Sequence, residues 1–563
     1  MNKKKTQKNN KIQLVDTLHQ LLGEKNMELT LSGIKNTADF QAAGITLPQY
    51  DVEKMIEDTG KNPKWVHFGA GNIFRIFIGS VADDLLASGE MKTGISCVET
   101  FDLDIVDKIY KPYDNLVLGV TLKADGATEK RVIASLAESL KAGDSRLQEI
   151  FVNPELQIAS FTITEKGYAL KNAAGAYFPW IEAEINEEPG SAVSAMGAAA
   201  AALHARYLAG AWPVAMVSMD NCSHNGDRLR DAIVTMAREW QSRGFVEAGF
   251  VDYLLSEKVG FPWSMIDKIT PRPAESVAAE LTRLGVAGMD PVITSKGTYI
   301  APFVNAEGPQ YLVVEDKFPN GRPSLEAGGV YVTDRETVDK VERMKVTTCL
   351  NPLHTALAVY GCLLGYDLIS AQMQDEDLKK LVWQIGPGEG MEVVTDPGIL
   401  SPQEFVEEVI NVRFPNPFMP DAPQRIATDT SQKVGIRFGE TIKSYVEKYG
   451  DAAKLNAIPL AIAGWCRYLL AVDDEGQSFT LSPDPMLEEL QEKLAGIRVG
   501  DPASYTGQLK DILSNKAIFG IDLYQAGLGE KIESFFLEQI QGPAAIRQSL
   551  KRQLSHVRVP TEN

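Results

Sequence analysis

The sequence predicts an α/β domain with a doubly wound, mostly parallel sheet, followed by an all-helical domain. Short apolar runs alternate with helical stretches from residue 64 to about residue 220, an order typical of parallel strands joined by helices. Beyond about residue 335 such runs nearly cease, and helical spacing dominates in TALAVYGCLLGY, PQEFVEEVINVRF and LAIAGWCRYLLAV. We therefore predict an N-terminal extension over 1–60, a sheet domain over 61–335 and a helical domain over 336–563.

Each predicted strand is a short apolar run bounded by turn residues. These runs occupy 65–68, 94–100, 115–122, 130–136, 156–164 and 211–220, with a further strand and turn in 311–323. An alanine-rich stretch, 192–208, predicts the helix that separates the strands at 156–164 and 211–220. The extension combines a polar tail, helix-like segments and a loop at 47–51, so we expect it to be peripheral.

Composition narrows the class of function. The chain has 75 Asp and Glu against 56 Lys and Arg, a net charge of −19, and such a chain repels phosphate backbones, so we expect no nucleic-acid partner. No run of about 18 apolar residues is present and the polar start does not resemble a secretory signal. Five cysteines without C-x-x-C spacing are typical of reduced thiols, so we predict a soluble cytoplasmic protein without a membrane partner.

A glycine turn after the first strand is typical of a dinucleotide site. Gly69 allows the tight turn, and Gly71 lets a pyrophosphate approach the backbone at the start of the next helix. Phe74 replaces the third glycine of the usual pattern, and Arg75 could pair with a phosphate. Glu99 ends the next strand, where an acid binds ribose hydroxyls and repels a 2′-phosphate, which favours NAD over NADP. Asp102 is the alternative for this role, and a purely structural turn with a solvated acid is the alternative for the whole loop.

One helical segment of the C-terminal half offers a general base without a metal. The six histidines show no H-x-x-x-H spacing and no cysteine at ligand spacing, so we predict no metal site. Glu342 and Lys345 share a helix face, and Asn351 before Pro352 predicts a helix N-cap, with His354 three residues on. A lysine buried beside a positively charged nicotinamide releases its proton more easily and can act as a general base. The alternative is an ordinary helix with a surface lysine and a hydrogen-bonded core histidine.

Eight motifs in order resemble the polyol-specific long-chain dehydrogenases, a family that includes mannitol 2-dehydrogenase, fructuronate reductase (mannonate oxidoreductase) and tagaturonate reductase. They are HFGAGNIFR at 67–75, TITEKGY at 162–168, MDNCSHNGD at 219–227, FPWSMIDKITPRP at 261–273, VEDKFPNGRP at 314–323, ERMK and LNPLH within 342–354, FPNP at 414–417 and RIATDTSQK at 425–433. Each motif alone is weak, but their common order over about 47–540 is specific. The resemblance implies a Rossmann-type domain, a helical domain, NAD as cofactor and a metal-free site between the domains.

The resemblance also implies roles for individual residues. Lys345 is the general base in oxidation and the acid in reduction, with Glu342 behind it on the proton path. Asn221 and Asn351 form the oxyanion-stabilising pair, and His354 orients the substrate hydroxyl. Contacts with the substrate are implied for Arg425, Lys433 and Asp267, and contacts with the cofactor for Gly69, Gly71, Asn72, Ile73, Phe74, Arg75, Glu99, Thr164 and Glu165.

The chain departs from the family at the catalytic segment. Family members usually have four residues between the lysine and the asparagine, whereas Lys345 and Asn351 are separated by five. A π-bulge would absorb the extra residue, and such bulges are frequent at functional sites. Pro352 stands where a glycine is usual, and Leu353 where a small residue is usual.

The resemblance implies a linear sugar acid or polyol as substrate. Reduction of fructuronate to mannonate is the favoured reaction, with oxidation of mannitol or another polyol, or reduction of tagaturonate, as alternatives. Arg425 or Lys433 could pair with a carboxylate, but both are also expected in members that act on neutral polyols. An alternative of another class is a dinucleotide-binding sensor without catalytic activity. The sequence makes no prediction of the oligomeric state.

Overall fold

Two compact units, divided between Arg335 and Glu336, make up the chain. The structure, a computed structural model, describes residues 27–560. The polar tail that begins the predicted extension lies outside the described residues. No helix among residues 27–560 is both long enough and apolar enough to cross a membrane.

The first unit contains all of the described strands. They are β1 Ile45–Thr46, β2 Trp65–Phe68, β3 Ile95–Glu99, β4 Val117–Leu122, β5 Thr128–Ile133, β6 Leu136–Lys141, β7 Ile158–Phe161, β8 Val214–Ser218, β9 Val259–Gly260, β10 Ser264–Asp267, β11 Val292–Ile293, β12 Tyr299–Ile300, β13 Phe303–Glu307, β14 Tyr311–Glu315 and β15 Tyr331–Thr333. Its α-helices are α1 Thr37–Ala42, α2 Val52–Lys61, α3 Gly79–Ala87, α4 Ser145–Val152, α5 Thr164–Gly167, α6 Pro179–Ile185, α7 Ala195–Gly210, α8 Asn225–Ser242, α9 Ala248–Leu255 and α10 Glu275–Arg283. Phe74–Ile78 and Val106–Tyr110 are π-helical, and four 3₁₀ turns lie at Gly33–Lys35, Lys111–Tyr113, Pro189–Ser191 and Leu325–Gly328.

The main sheet has six parallel strands in the order β6-β3-β2-β7-β8-β9. Counted along the chain, this order is 3-2-1-4-5-6, that of a Rossmann dinucleotide-binding domain. Strands β2, β3, β7 and β8 are buried along their whole length, as expected for a parallel sheet covered by helices on both faces. The predicted fold class is therefore confirmed for this unit, and the carboxyl ends of its strands define one edge at which a ligand can bind.

Three smaller sheets complete the first unit. The order β1-β5-β4-β13 combines parallel and antiparallel pairs, β10-β14-β15 forms a second sheet and β11-β12 a hairpin. The single strand predicted over 130–136 was wrong, because β5 ends at Ile133 and β6 begins at Leu136 in another sheet. The chain passes from one sheet to the other at Ala134 and Ser135, and hydrogen bonds fix the backbone of both residues. Ala134 N donates to Asp83 Oδ1 at 3.1 Å, and Ser135 O accepts from Ile95 N at 2.8 Å.

The described part of the N-terminal extension is built into the first unit. Ile45 pairs with Lys130 in the parallel β1–β5 ladder, and Phe40 is fully buried. Tyr50 Oη donates to Asp83 Oδ1 at 2.6 Å, and Asp83 in turn pairs with Arg131. The expectation of a peripheral segment was therefore wrong for the residues that the structure describes.

The second unit is helical. Its α-helices are α11 Arg335–Met344, α12 Asn351–Leu363, α13 Ile369–Gln372, α14 Glu376–Trp383, α15 Pro402–Glu408, α16 Pro423–Ile426, α17 Glu440–Tyr449, α18 Ala457–Tyr468, α19 Leu487–Lys493, α20 Lys510–Leu513, α21 Lys516–Phe519, α22 Gly529–Gln539 and α23 Ala545–Gln553. Lys345–Cys349, Gln384–Glu389, Val409–Arg413 and Gly435–Gly439 are π-helical, and Gly390–Val393, Thr430–Gln432 and Pro502–Ser504 are 3₁₀ turns. The helical character predicted beyond about residue 335 is confirmed for the described residues.

A buried tyrosine joins three helices at the centre of this unit. Tyr360 on α12 donates from its hydroxyl to Leu460 O on α18 at 2.8 Å and accepts from Gln539 Nε2 on α22 at 3.0 Å. Gly464 lets α18 approach this ring, since a Cβ there would lie 2.6 Å from Tyr360 Cζ. Helix α12, which carries the predicted Asn351 and His354, is thus held by its other residues in a packed core.

Candidate active site

The glycine loop, residues 69–71, lies at the carboxyl end of β2 in the main sheet. Gly69 has φ +104°, and a Cβ there would lie 2.3 Å from Thr162 O, so only glycine fits this turn. Gly71 is open instead, because a Cβ at that position would meet no atom within 4 Å. The loop therefore combines a tight turn against β7 with free space over the next residue, and this fits the close approach of a pyrophosphate.

The residues after the glycines differ in accessibility. Asn72 and Ile73 are partly exposed, whereas Phe74 and Arg75 are fully buried. Arg75 donates to Pro302 O at 2.9 Å and to Asn72 Oδ1 at 3.3 Å, and its burial lowers its pKa to about 10. Both side chains lie buried beneath the loop, and the cofactor contacts predicted for Arg75 and Phe74 stay predictions.

Glu99 supports the same loop. One carboxylate oxygen accepts from Ala70 N at 2.9 Å, and the other accepts from the backbone of Thr100, Phe101 and Asp102 at 3.0, 2.8 and 3.1 Å. Asp102, the rival acid, is 2% exposed and accepts from Thr294 Oγ1 at 2.6 Å. Sequence reasoning missed this structural use of Glu99, and its contact with a ribose stays a prediction.

A buried histidine joins the glycine loop to the neighbouring strand. His67 Nδ1 lies 2.7 Å from Ser160 Oγ, and Nε2 lies 2.8 Å from Thr162 Oγ1. Its ring stacks on Phe74 with centroids 3.9 Å apart. Burial lowers the pKa of His67 well below its usual value, so this histidine is neutral in the folded protein.

The neutral His67 predicts a pH-dependent loss of stability. Because its folded pKa is lowered, the unfolded chain binds the extra proton, so this contribution is present above the unfolded pKa of about 6.5 and is lost as the pH falls. Between pH 7.5 and 5.5 the loss is about 1.4 kcal/mol. We expect the fall in unfolding free energy, measured by urea denaturation, to be smaller by that amount in His67→Gln. Equal falls in the wild type and His67→Gln would contradict the assignment.

Asp220 organises the loops that follow β7 and β8. Its carboxylate accepts from Ile163 N and Thr164 N, each at 2.9 Å, and from Tyr168 Oη at 2.6 Å. Thr164 is held at φ +65°, a strained conformation for a residue with a Cβ. Burial raises the pKa of Asp220. Thr164 and Glu165 were predicted site residues, whereas Asp220 was missed although it lies in the MDN motif.

Asn225 ties the same loop to the strand that carries Asp267. Its Nδ2 donates to Asp220 O and to Ser264 O, both at 3.0 Å, and its Oδ1 accepts from Ser264 N at 3.0 Å. The predicted residue Asn221 is exposed in this loop, and Asp267 ends β10 with 8% of its surface exposed. Four of the motifs found in the sequence therefore converge in the first unit through buried polar side chains.

The second unit carries the predicted general base on a distorted helix. Lys345 is 2% exposed and opens a π-helical turn that continues α11, and Leu350 N donates across that turn to Lys345 O at 3.1 Å. The π-bulge expected from the extra residue is confirmed. Glu342 is half-buried one turn earlier on the same helix. The alternative of a surface lysine is wrong, because Lys345 is buried.

Asn351 begins α12 at its first residue. The N-cap position belongs to Leu350, so the prediction of Asn351 as N-cap was wrong by one residue. The π turn shifts the helix start, since Leu350 takes the non-helical φ of −128°. Oδ1 of Asn351 is buried and has no hydrogen-bond partner among residues 27–560. A buried amide oxygen without a partner is costly, which makes Asn351 a candidate for contact with a ligand.

His354 lies one turn along α12 and faces an aspartate that sequence reasoning missed. Its Nε2 lies 2.8 Å from Asp421 Oδ2, close enough for an ion pair although not aligned as a hydrogen bond. Asp421 also pairs with the exposed Arg425. Burial alone would raise the pKa of Asp421, but His354 and then Arg425 outweigh it, so the pKa is lowered. No local pattern marks Asp421, which lies between two family motifs.

The structure brings the predicted cations close to this helix. Arg425 and His354 both contact the carboxylate of Asp421, and Lys433 donates to Thr428 O. Burial lowers the pKa of Lys433, and the positive charge of Arg437 lowers it further. No group of three or more His, Cys, Asp or Glu side chains among residues 27–560 could hold a metal ion.

Two family models match the chain. The model described as the mannitol dehydrogenase Rossmann domain matches residues 63–327, and the one described as the mannitol dehydrogenase C-terminal domain matches residues 337–540. The chain belongs to the mannitol dehydrogenase family. Its Rossmann strand order and helical second unit are those of a family member.

Relatives within the mannitol dehydrogenase family differ in their substrates. The D-mannonate oxidoreductase of Thermotoga maritima is 53% identical over 533 residues, covering 93% of this chain and 98% of that protein. The mannitol 2-dehydrogenase of Pyrenophora tritici-repentis is 31% identical over 483 residues, covering 82% of this chain and 76% of that protein. The solved structure of Pseudomonas fluorescens mannitol 2-dehydrogenase, a ternary complex with NAD and D-mannitol, is 26% identical with a TM-score of 0.67, covering 94% of this chain and 100% of that one.

Proposed function

We propose that this protein is a D-mannonate oxidoreductase that interconverts D-mannonate and D-fructuronate with NAD. The observation that carries the proposal is the 53% identity to the Thermotoga maritima D-mannonate oxidoreductase over nearly the full length of both chains. As a member of the mannitol dehydrogenase family, the chain is an NAD-dependent oxidoreductase that acts on CH–OH groups of sugar-type substrates.

The glycine loop fits the cofactor. The open side of Gly71 and the partly exposed Asn72 and Ile73 at the helix start offer backbone amides to a pyrophosphate. When bound, NAD supplies the nicotinamide carbon that accepts or returns a hydride. Glu99 holds Ala70 N, and so keeps the loop in the shape that leaves Gly71 open.

Lys345 exchanges the proton in this proposal. When mannonate is oxidised, the hydroxyl proton passes to Lys345 Nζ while the C–H electron pair leaves as hydride and the carbonyl forms. In reduction the ammonium returns that proton to the developing alkoxide. The burial of Lys345 supports this role, because burial favours the neutral amine over the ammonium. Glu342, half-buried one turn earlier on the helix, is placed on the proton path to solvent.

Asparagine side chains stabilise the oxygen on which charge develops. The amide of Asn351 lies at the start of α12, with a buried oxygen that lacks a hydrogen-bond partner among residues 27–560, and we assign Asn221 as the second member of the pair. His354 orients the substrate hydroxyl, and its pairing with Asp421 limits how the ring can turn. In this proposal the asparagine and histidine side chains hold and orient the substrate, whereas Lys345 exchanges the proton.

An assay with matched substrates tests the proposed function. We expect NADH oxidation with D-fructuronate and NAD reduction with D-mannonate, with kcat/KM at least about 10-fold above that for D-fructose or D-mannitol, which lack the carboxylate that a cation of the site would bind. The same assay with D-tagaturonate, which carries a carboxylate as well, compares the two sugar acids. Preference for fructose and mannitol would contradict the sugar-acid assignment in favour of a polyol dehydrogenase. Tight NADH binding without turnover of any of these substrates would instead support the sensor alternative.

A further inference from the structure

The helical unit contains a cation, Arg437, that has no carboxylate partner among residues 27–560. Arg437 lies in the π-helical segment Gly435–Gly439, and its Nη1 donates to Thr355 Oγ1 at 2.5 Å. Among the described residues this hydroxyl is the only recorded partner of the guanidinium. Burial lowers the pKa of Arg437 to about 10. Arg437 is half-buried, and a guanidinium that is partly removed from water beside a neutral partner carries a desolvation cost that a bound anion would offset.

The contact of Arg437 places its charge beside the catalytic helix. Thr355 follows His354 directly, and its hydroxyl also donates to Asn351 O at 2.9 Å, one turn back along α12. Four residues of an α-helix span about 6 Å along the axis. This length is comparable with the separation between the keto oxygen and the carboxylate of an open-chain hexuronate. A substrate oxygen at Asn351 would therefore leave a carboxylate within reach of Arg437.

Two further cations strengthen the positive potential. Lys433 lies one turn before Arg437, because Arg437 N donates to Lys433 O at 2.9 Å. Burial and then the charge of Arg437 lower the pKa of Lys433, with a smaller lowering from Arg425 and opposing effects from Asp429 and Asp484. Arg425 already has a carboxylate partner in Asp421. Among these three cations and within the described residues, Arg425 has a carboxylate partner, whereas Lys433 and Arg437 bind only neutral oxygens. Of these two, Arg437 contacts Thr355 on α12 directly and has the planar group that matches a carboxylate.

We propose that Arg437 binds the carboxylate of an open-chain sugar acid and so selects sugar acids over neutral polyols. The inference rests on the proposed function for the reaction but adds the residue that recognises the acid group. A guanidinium suits this task because it can make two parallel hydrogen bonds to a carboxylate and does not lose its charge. Thr355 orients it through one nitrogen, and the remaining N–H groups are left for the ligand.

Substitution of Arg437 by glutamine tests the proposal. We expect the dissociation constant of D-mannonate, titrated into the enzyme–NADH complex, to rise by about 10- to 100-fold, since charge-assisted hydrogen bonds are lost. The KM for D-fructuronate should rise similarly, whereas that for D-fructose and the dissociation constant of NADH should change less than about threefold. Arg437→Lys should restore part of the acid binding because it keeps the charge but loses the bidentate geometry. Arg498→Gln, which removes an exposed arginine paired with Asp501, is the control and should change neither.

Two outcomes would overturn the inference. Unchanged mannonate binding in Arg437→Gln would mean that the carboxylate lies elsewhere. An equal loss for fructuronate and fructose would assign Arg437 to supporting α12 through Thr355.

The inference and the proposed function can fail separately. Suppose that the wild type binds D-mannonate and D-gluconate more tightly than their alditols, that this preference depends on Arg437, and that mannonate is not oxidised. This result would refute the proposed function alone. Full mannonate turnover without this dependence would refute the inference alone.

Discussion

Replacing Lys345 by alanine is expected to lower kcat for fructuronate reduction by about 10²- to 10⁴-fold, the usual contribution of a positioned acid or base. The loss follows because no other group would carry the proton to the forming alkoxide. The dissociation constant of NADH should stay within about threefold, since Lys345 lies in the helical unit and the glycine loop in the other. Single-turnover stopped-flow fluorescence of NADH, with equilibrium titration alongside, measures both quantities.

A second lysine of the helical unit provides the control for this variant. Lys379 is half-buried on α14, outside the segments that carry the proposed site. Lys379→Ala should retain wild-type kcat within about twofold, as surface substitutions usually do. If Lys345→Ala kept full activity, the proton would have to move through another group, and the mechanism would be wrong.

Alanine at Gly69 is expected to destabilise the first unit by about 3 kcal/mol or more. The new Cβ would require a left-handed φ and would lie 2.3 Å from Thr162 O, so the strain of the conformation adds to a clash with backbone. Urea unfolding followed by circular dichroism measures the change. Stability within about 1 kcal/mol of wild type would contradict the packing described for this turn.

Gly71→Ala separates stability from cofactor binding. A Cβ at Gly71 meets nothing within 4 Å, so we expect the free energy of unfolding to change by less than about 1 kcal/mol. The methyl group would, however, occupy the space over which the pyrophosphate approaches the backbone. We therefore expect the dissociation constant of NADH to rise at least about 10-fold. Unchanged affinity would move the pyrophosphate away from this residue.

Local patterns in the sequence predicted much of the fold and site. Alternating strands and helices indicated the parallel sheet, and the strand order then follows the Rossmann arrangement. The E-x-x-K spacing marked Lys345, and the one-residue excess before Asn351 predicted the π-helical turn that the structure contains. Each of these signals lies within a few residues along the chain, where helix and strand periodicity carry the information.

Features that depend on distant residues were not predictable in this way. The bond from Arg75 to Pro302 O could not be foreseen, because the two residues lie far apart along the chain. Asp421 meets His354 only after the chain has passed through several helices, and the carboxylate of Glu99 is committed to backbone amides that no side-chain pattern reveals. Tertiary contacts of this kind decide whether a polar side chain faces a ligand or the core.

Hydride transfer in Lys345→Ala with added small amines tests the central claim most directly. Single-turnover oxidation of D-mannonate would be followed in the presence of methylamine or ethylamine at constant pH and ionic strength. We predict a slow rate without amine that rises with the concentration of free amine, because the cavity left by the lysine side chain admits a substitute base. A rate equal to wild type that is insensitive to amine would contradict the assignment of Lys345 as the proton carrier.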